Sequence, residues 1–288
     1  MHTFLFINPA SGRFAQHRVA KTVRLLQQNG LRPEVRSITT PADALPHCEE
    51  INALAQPPLV IVAAGDGTMN TVVNGLQPGQ ATLAILPLGT SNVLAAELGI
   101  VSLEDGIRRI KAGITREMSV GVVETAVERR RFVLMAGIGV DGTVVRDVWP
   151  LGKRLLRQGA YAAAALFGSL TWDRSLIGVI TAGCSFQCHS TIICNASRYG
   201  GNFVLSPESS LYSPELTAVC IRNNQRRTYL RLALELLAGR TDTSRELIRI
   251  PANGIEIRGI KPIQIDGDFL GYSPAKIYSM ANFARIIV

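Results

Sequence analysis

The first third of the chain alternates short apolar runs with stretches whose apolar residues recur at helical spacing. The runs TFLFI, LVIVA and TLAIL are each followed by a turn and then by a helical pattern. Short buried strands that alternate with helices form parallel sheets covered on both faces. Ligands of such sheets bind beyond the carboxyl ends of the strands. We therefore expect the loops after the first, third and fourth strands to meet at one crevice.

The pattern changes near Ser119 to short β-like runs that are close in sequence and separated by polar turns, interrupted by helical patterns around 143–170 and 225–239. Strands in such close succession predict an antiparallel sandwich. The predicted fold class is α/β: a Rossmann-like parallel α/β domain at 1–118, followed by an antiparallel β-sandwich domain at 119–280. The tail of about 280–288 is a candidate to return to the first domain.

Composition limits the classes of function. The net charge of the 288 residues is +8, and residues 1–118 hold 10 Lys and Arg against 9 Asp and Glu, so most of the excess lies in the second domain. A basic face suits an anionic membrane surface or nucleic acid. Sparse aromatic residues and the lack of a nucleic-acid module argue against nucleic acid.

Hydropathy and cysteine content point to the cytoplasm. No apolar run approaches the roughly 20 residues that span a bilayer, and the amino terminus lacks the features of a signal peptide. Five cysteines are an odd count that does not suggest a disulfide framework. The run CSFQCH lacks a second ligand pair at zinc spacing, so we interpret its cysteines as ordinary, partly buried thiols.

The loop Gly65-Asp66-Gly67-Thr68 follows a buried apolar run and opens a helical pattern. Glycines let the main chain approach a phosphate, and free amides of the following helix bind anions. Because Asp66 would be repelled by bare phosphate, it implies a magnesium ion, a lysine or a substrate hydroxyl that needs a base. Asp-Gly is also common in ordinary turns.

A second loop, LPLGTSNVLAAELG from Leu86, places Gly89, Thr90, Ser91 and Asn92 at the equivalent position. Helix capping is the simple alternative for Ser91 or Asn92. Capping does not explain why two loops of this kind occur together.

Five motifs occur in order along the chain: INPASG, GDGTMNTVVNGL, LPLGTSNVLAAELG, AGIGVDG and IQIDGD. Together they resemble the bacterial lipid kinases of the diacylglycerol kinase catalytic-domain family, relatives of sphingosine kinases. The resemblance implies an ATP-binding α/β domain, a β-sandwich domain that holds the lipid, and an active site in the cleft between them. It implies transfer of the γ-phosphoryl group of ATP, with Mg²⁺, to a diacylglycerol-like or sphingoid/ceramide-like hydroxyl.

The resemblance also implies functional residues. Carried over by position, the ATP contacts are Gly65, Asp66, Gly67, Thr68, Met69, Asn70, Thr71 and Thr90, with Thr39 or Thr40 after the second strand and with Asn8 and Ser11 facing the same crevice. The family's proton acceptor falls on Asp268 of IQIDGD, usually a glutamate, and Asp66 has also been proposed as the base in related kinases. A hairpin turn is the structural alternative for Asp266-Gly267-Asp268.

The chain departs from the family pattern at several positions. Ala64, Thr71 and Val93 replace a glycine, a glutamate and an aspartate that are common in the family. Where the family binds a structural magnesium ion through an aspartate, this chain has Pro214 followed by Glu215. Proline offers no side-chain ligand, so either this metal is absent or Glu215 replaces the ligand from a shifted position.

Two rival functions are a nicotinamide-dinucleotide kinase, which shares a Gly-Asp-Gly loop, and a catalytically weak nucleotide- or lipid-binding regulator. The presence of both LPLGTSNVLA and IQIDGD in one sequence favours the lipid kinase. A lipid substrate predicts transient peripheral contact with the inner face of the membrane, and a homodimer is left open. Candidates for this contact are the basic residues Arg146, Lys153, Arg154 and Arg157 beside Trp149, for which a solvated basic helix is the alternative.

Overall fold

A computed structural model describes residues 2–9, 15–152, 172–201, 203–241 and 244–288 of the chain. These residues divide into two compact units. The first unit comprises Met1–Val120, Gly200–Asn202 and Met280–Val288, and the second comprises Gly121–Tyr199 and Phe203–Ser279.

Seven helices and eighteen strands occur in the described part of the chain. The helices are α1 Ala15–Gln28, α2 Pro41–Asn52, α3 Asp66–Gly75, α4 Val93–Glu97, α5 Leu103–Ala112, α6 Val140–Gly152 and α7 Arg226–Leu237. The strands are β1 Thr3–Ile7, β2 Glu34–Ser37, β3 Leu59–Ala64, β4 Thr82–Pro87, β5 Thr115–Glu124, β6 Arg129–Phe132, β7 Met135–Ile138, β8 Ile177–Ile180, β9 Ser185–Cys188, β10 Ser190–Cys194, β11 Arg198–Tyr199, β12 Phe203–Val204, β13 Leu216–Ile221, β14 Leu247–Ala252, β15 Gly254–Arg258, β16 Pro262–Ile265, β17 Asp268–Tyr272 and β18 Ala275–Ile287.

The first unit is built on a parallel sheet in the order β2-β1-β3-β4-β18. Strand β3 is buried along its whole length, as expected for a parallel strand with both faces covered. Leu5, Ile61 and Leu86 of the sheet pack with Ile107 of α5 in one apolar cluster. The carboxyl ends of β1 to β4 carry the loops that the sequence singled out.

The second unit is built from antiparallel strands. Strands β14-β13-β10-β7-β16-β17 form one sheet, and β15 pairs with β8 and with the first part of β18 in another. Side chains from both sheets, including Ile138, Ile193, Val179 and Ile257, share one buried core. This arrangement confirms the predicted α/β class with a parallel sheet followed by an antiparallel sandwich.

A buried polar chain runs through the second unit beside α7. His189 is fully buried; its Nδ1 lies 2.6 Å from the Tyr229 hydroxyl and its Nε2 lies 2.6 Å from the Asp173 carbonyl oxygen. The Tyr229 hydroxyl also lies 2.9 Å from Ser190 Oγ. Because the Asp173 carbonyl only accepts, the Nε2 atom of His189 carries a proton. Burial lowers the pKa of His189 below its usual value.

Two sequence expectations about helices and membranes have structural outcomes. The pattern at 225–239 is α7, whereas the pattern at 143–170 is described only as far as Gly152 in α6. None of the helices in the described part of the chain is both long and apolar enough to cross a membrane. All five cysteines are free; Cys184 is exposed and the other four are buried.

Candidate functional site

The first glycine loop joins β3 to α3. Gly65 is the N-cap residue of α3 in extended conformation, and Asp66 is the first helical residue. Gly67 is exposed, its φ lies outside the left-handed region, and a Cβ atom added there would meet no described atom within 4 Å. The packing of the described residues therefore gives no reason for glycine at 67, which lies at the exposed amino end of a ten-residue helix, the kind of position at which anions bind in proteins.

The second glycine loop packs against the first through main-chain atoms. A Cβ atom at Gly89 would lie 2.4 Å from the Gly65 Cα atom and 2.8 Å from Asn92 Oδ1. No side chain larger than hydrogen fits at that distance, so the pair of loops requires glycine at 89 for packing. The two loops thus form one backbone surface at the ends of β3 and β4.

Asp66 links the two loops. Its carboxylate accepts hydrogen bonds from the main-chain amides of Val93 (3.0 Å) and Leu94 (2.9 Å), which are the first residues of α4. Asn92, the N-cap residue of α4, has φ 48° and makes no capping bond with its side chain. Its Nδ2 instead donates to the Gly89 carbonyl at 3.0 Å. The capping alternative is therefore wrong for the Asn92 side chain, because Asp66 takes that role.

The other predicted ATP contacts divide by exposure. Thr90 is exposed, whereas Met69 and Asn70 are buried, so a ligand on the surface of α3 would reach Met69 only through its main chain. Thr71 donates its hydroxyl to the Gly67 carbonyl at 2.9 Å inside the helix. Thr68 is half-buried, and its amide donates to the Gly65 carbonyl at 3.1 Å.

The loops after β1 and β2 contribute polar groups at the same edge of the sheet. Thr39 and Thr40 are both exposed, and their amides donate to Asp43 Oδ2 at 2.8 and 2.7 Å. The two main-chain bonds lower the pKa of Asp43. Asn8 follows β1 and is half-buried, and Ser11 lies outside the described residues.

The turn between β16 and β17 carries the predicted proton acceptor of the second unit. Asp266 and Gly267 have φ 46° and 90°, which gives the tight two-residue turn expected of a hairpin. The Asp266 carboxylate accepts from the amides of Val133 (2.6 Å), Leu134 (2.9 Å) and Met135 (3.0 Å). Asp268 is the first residue of β17 and is half-buried.

The three amides held by Asp266 lie where the chain crosses between sheets. Strand β6 pairs with β5, whereas β7 belongs to the other sheet of the second unit, so the residues between them leave one ladder before joining the next. Asn195 holds the carbonyl side of this crossover, because its Nδ2 donates to the Val133 carbonyl at 2.7 Å. Asp266 is therefore a structural residue, and no local pattern indicated its partners, which are more than 130 positions away.

A third carboxylate near this turn, Asp141, was not among the predicted site residues. Asp141 belongs to the AGIGVDG motif and accepts hydrogen bonds from the Tyr199 hydroxyl at 2.6 Å and from Gln264 Nε2 at 2.5 Å. Burial raises the pKa of Asp141 and, more strongly, that of Tyr199. The Gln264 Oε1 atom accepts from the Gly267 amide at 2.8 Å.

The described residues do not fit the structural magnesium site that the resemblance implies. Pro214 and Glu215 are both exposed, and the Glu215 amide donates to Ser213 Oγ at 3.0 Å. No group of three or more His, Cys, Asp or Glu side chains in the described ranges is arranged to hold a metal ion. We therefore derive no step through a structural metal.

The predicted membrane face is only partly described. Arg146 pairs with the neighbouring Asp147 at 2.6 Å and donates to the Tyr272 hydroxyl at 3.1 Å, so its charge is engaged within the second unit. Lys153 and Arg154 lie outside the described residues, as do Arg157 and the side chain of Trp149.

Comparison with known proteins agrees with the motifs. A model of the diacylglycerol kinase catalytic domain matches residues 2–123. A protein of Bacillus subtilis (strain 168) named "Diacylglycerol kinase" is 27% identical over 295 residues, which cover 99% of this chain and 95% of that protein. A Yersinia enterocolitica protein named "Probable lipid kinase YegS-like" is 35% identical over 216 residues, which cover 72% of this chain and 71% of that protein.

The fold has solved counterparts. The crystal structure of a diacylglycerol kinase from Bacillus anthracis str. Sterne superposes with a TM-score of 0.75 at 19% identity and covers 99% of this chain and 96% of that chain. The similarity in sequence, which extends beyond the first unit, identifies the family. The chain belongs to the lipid kinases that carry a diacylglycerol kinase catalytic domain.

Proposed function

We propose that the protein is an ATP-dependent lipid kinase that transfers the γ-phosphoryl group of ATP to a lipid hydroxyl. The observation that supports this most directly is the exposed amino end of α3, where Gly67 is open although packing does not require glycine there. A glycine at the amino end of a helix has no side chain to obstruct a phosphate, which can therefore approach the main-chain amides closely.

In this proposal the first unit holds Mg-ATP. Phosphoryl transfer needs positioned phosphates and neutralised charge more than covalent chemistry from the protein. The amides of α3 and the Thr68 hydroxyl would bind the phosphates, with Thr90 and either Thr39 or Thr40 at neighbouring strand ends. Asp66 accepts one amide on each carboxylate oxygen and keeps lone pairs with which it would orient the metal-bound nucleotide.

The second unit would supply the proton acceptor. Of the two carboxylates in the IQIDGD turn, Asp266 is committed to three main-chain amides, so we assign the lipid hydroxyl to Asp268. A carboxylate within hydrogen-bond reach of an attacking hydroxyl contributes by relieving it of its proton as the bond to phosphorus forms. Asp66 remains the alternative base.

The lipid acceptor that we propose first is diacylglycerol. A relative that matches over almost the whole chain carries that name, and sphingoid or ceramide lipids are the second class because a shorter match is to a protein named "Sphingosine kinase B". Since ATP is available in the cytoplasm, we place the reaction at the inner face of the membrane, with the product entering phospholipid biosynthesis.

We propose that α7 contributes to the transient membrane contact. Leu230 and Leu234 are 45% and 56% exposed, and Leu237 also lies at the surface one turn further on. Arg227 and Arg231 are exposed on the same helix, and the spacing i, i+3, i+4, i+7 puts these side chains on one face. Exposed leucines flanked by arginines fit the surface of an anionic bilayer.

The test is a product analysis. The protein is incubated with Mg-ATP and either NAD or mixed micelles that contain diacylglycerol, monoacylglycerol, sphingosine or ceramide. The lipid and nucleotide products are examined by mass spectrometry, and ATP binding is measured by calorimetry. We expect one class to gain a phosphate and Asp268→Asn to lose that product. Phosphorylation of NAD instead of any lipid would support the nicotinamide-dinucleotide kinase, and ATP binding without transfer would support a regulator.

A further inference from the structure

We propose that Asp141 and Gln264, together with Tyr199, are positioning residues that hold the turn from which Asp268 acts. This inference rests on the proposed function in one respect: Asp268 must be the group that accepts the proton. The residues assigned to phosphate binding and to proton acceptance do not include any from the AGIGVDG motif. This inference gives that motif a role in the reaction.

The contacts form an ordered chain of hydrogen bonds. The Tyr199 hydroxyl donates to Asp141 Oδ1 at 2.6 Å, and Gln264 Nε2 donates to Asp141 Oδ2 at 2.5 Å. The opposite atom of the same amide, Gln264 Oε1, accepts from the Gly267 amide at 2.8 Å. Gly267 directly precedes Asp268, so the chain ends one peptide unit from the proposed base.

The direction of each bond is fixed by chemistry. A main-chain amide only donates, so the Gly267 amide requires the oxygen of Gln264. The nitrogen of Gln264 then faces Asp141 and requires an acceptor there, which a carboxyl oxygen provides. A side chain of equal size with the wrong polarity at 264 would therefore break the chain without changing the volume, whereas one at 141 would also force the Tyr199 hydroxyl to accept instead of donate.

The glycines of the motif make room for this arrangement. A Cβ atom at Gly137 would lie 1.8 Å from Asp141 Oδ2, and Gly137 is the register partner of Gln264 in the β7–β16 pair. A Cβ atom at Gly142 would lie 2.2 Å from the Pro262 carbonyl oxygen at the start of β16. Residues on both sides of Asp141 thus pack directly on the strand that leads to the turn.

The turn is held from two sides. The carboxylate of Asp266, the first residue of the turn, accepts the amides of the β6–β7 crossover. Gln264 links the amide of the second residue, Gly267, to Asp141. With both anchors in place, the direction in which the main chain presents Asp268 is set. Because a misplacement of about 1 Å can cost on the order of 100-fold in rate, loss of one anchor should lower turnover while the fold persists.

The test exchanges the two polarities. In Asp141→Asn, either the new amide nitrogen faces the Gln264 nitrogen, so that two donors meet, or it faces the Tyr199 hydroxyl, which must then accept instead of donate. In Gln264→Glu, two carboxylates face each other and must share a proton. In the double variant Asp141→Asn/Gln264→Glu, the new amide at position 141 would donate to the new carboxylate at position 264, which would still accept the Gly267 amide. All three bonds are restored, with one carboxyl group as in the parent protein.

We expect Gln264→Glu to lose tenfold or more in kcat with an unchanged KM for Mg-ATP, Asp141→Asn to lose less because the Tyr199 hydroxyl can accept instead of donate, and the double variant to recover most of the Gln264→Glu loss. The kcat of Gln264→Glu should also fall as pH rises through the pKa of the shared proton, because two carboxylates in contact cannot both ionise without cost. The nearby titratable groups Tyr199 and Cys194 do not interfere, since burial raises the pKa of each above the assay range.

Amide exchange at Gly267, followed by NMR, provides a readout that does not depend on activity. Exchange should become faster in Gln264→Glu, less so in Asp141→Asn, and return to the parent rate in the double variant. Tyr199→Phe, a small change that keeps the ring, should lower kcat by less than Gln264→Glu. The matched control is Tyr278→Phe, whose hydroxyl makes a long surface bond of 3.4 Å to Glu124, and it should leave kcat unchanged.

Failure of the inference and failure of the proposed function give different results. If the parent protein phosphorylates lipid and the double variant is as slow as the singles, or if Gln264→Glu equals the parent at every pH, the inference is overturned. If no lipid is phosphorylated, the proposed function fails, and unchanged Gly267 exchange in all variants would then overturn the inference as well. Should a single variant fail to fold, recovery in the double variant and the effect of Tyr199→Phe still decide.

Discussion

The two acidic turns of this protein use the same residue types for different purposes. In Gly65-Asp66-Gly67 the only carboxylate accepts two amides of α4 and so joins two loops. In Asp266-Gly267-Asp268 the first carboxylate accepts three amides of the β6–β7 crossover, and a second carboxylate follows. In each turn the first aspartate accepts hydrogen bonds from main-chain amides. Only the turn of the second unit has another carboxylate, Asp268, that a substrate could contact.

The support behind the two turns also differs. Apart from Asp66, the loops of the first unit meet through glycine main chain at Gly65 and Gly89, which carries no titratable group. The turn of the second unit is supported by polar side chains, the half-buried Asp141 with the buried Gln264. A site supported by backbone packing is sensitive to volume, whereas one supported by titratable side chains is sensitive to charge and pH.

The largest effect on stability should come from Asp266→Ala. Three amides at buried positions would lose their acceptor, and because each such loss costs about 1–3 kcal/mol we expect at least about 3 kcal/mol of destabilisation. Asp66→Ala removes two bonds at the end of a short helix and should cost about 1–2 kcal/mol. Urea unfolding of both variants measures the difference, and equal losses would contradict the comparison.

Turnover should be most sensitive at Asp268. Asp268→Asn keeps the shape of the turn and removes the base, so we expect kcat to fall on the order of 100-fold, or about 2.7 kcal/mol in activation free energy, with ATP affinity nearly unchanged. Asp66→Asn should weaken ATP binding as well. If Asp268→Asn retained near-normal turnover while Asp66→Asn lost it, the role of base would move to Asp66.

Substitution of two glycines of the first unit should have different effects, one on the stability of the fold and the other on ATP binding. Gly89→Ala forces a methyl group onto the Gly65 main chain and should destabilise the fold by about 2 kcal/mol, as overpacking does. Gly67→Val meets open space and should leave stability nearly intact while it weakens ATP binding, because a branched side chain stands where phosphate would approach. Isothermal calorimetry with thermal unfolding separates the two, and normal nucleotide affinity in Gly67→Val would refute the phosphate assignment.

The membrane contact should depend on the second unit alone. Replacing both Leu230 and Leu234 with serine removes apolar surface from α7, and we expect affinity for vesicles that contain phosphatidylglycerol to fall about tenfold, equivalent to about 1.4 kcal/mol. Leu45→Ser on α2 of the first unit, where the leucine is 55% exposed, is the matched control and should bind normally. Co-sedimentation measures all three proteins, and an equal loss in the control would show that exposure alone explains the effect.

The smallest effect should be a pH dependence of stability in the second unit. Because burial lowers the pKa of His189, the unfolded chain binds this proton more readily than the folded protein. The contribution of His189 to the free energy of unfolding is therefore fully present above about pH 6.5. It is lost as pH falls from there towards the folded pKa, by at most about 1.4 kcal/mol per pH unit. Both tryptophans, Trp149 and Trp172, belong to the second unit, so their fluorescence follows its unfolding at about pH 7.5 and about pH 5.5, on either side of the ordinary histidine pKa. His189→Gln should flatten the difference, and an unchanged slope would assign it to other groups.

The sequence was sufficient for the fold class because the change from strand–helix alternation to closely spaced strands is a local pattern. It also located both glycine loops, since each follows a buried apolar run. The partners of Asp66 and Asp266 could not be predicted, because main-chain amides carry no residue signature and lie 27 or more positions away. The Asp141–Gln264 bond joins residues 123 positions apart, and AGIGVDG alone did not reveal it. The assignment of ATP and lipid contacts to individual residues stays a prediction.

Strand β18 has a consequence for how the protein is made. Its residues 285 and 286 lie beside β4 in the parallel sheet of the first unit, while its residues 275–278 pair with β15 in the second. On the ribosome, β1 to β4 emerge long before β18 is synthesised. The edge of β4 in the nascent first unit therefore stays unpaired until the entire second unit has left the exit tunnel. An exposed strand edge is a template for wrong pairing, and we expect early synthesis to be the stage at which this chain most needs a chaperone.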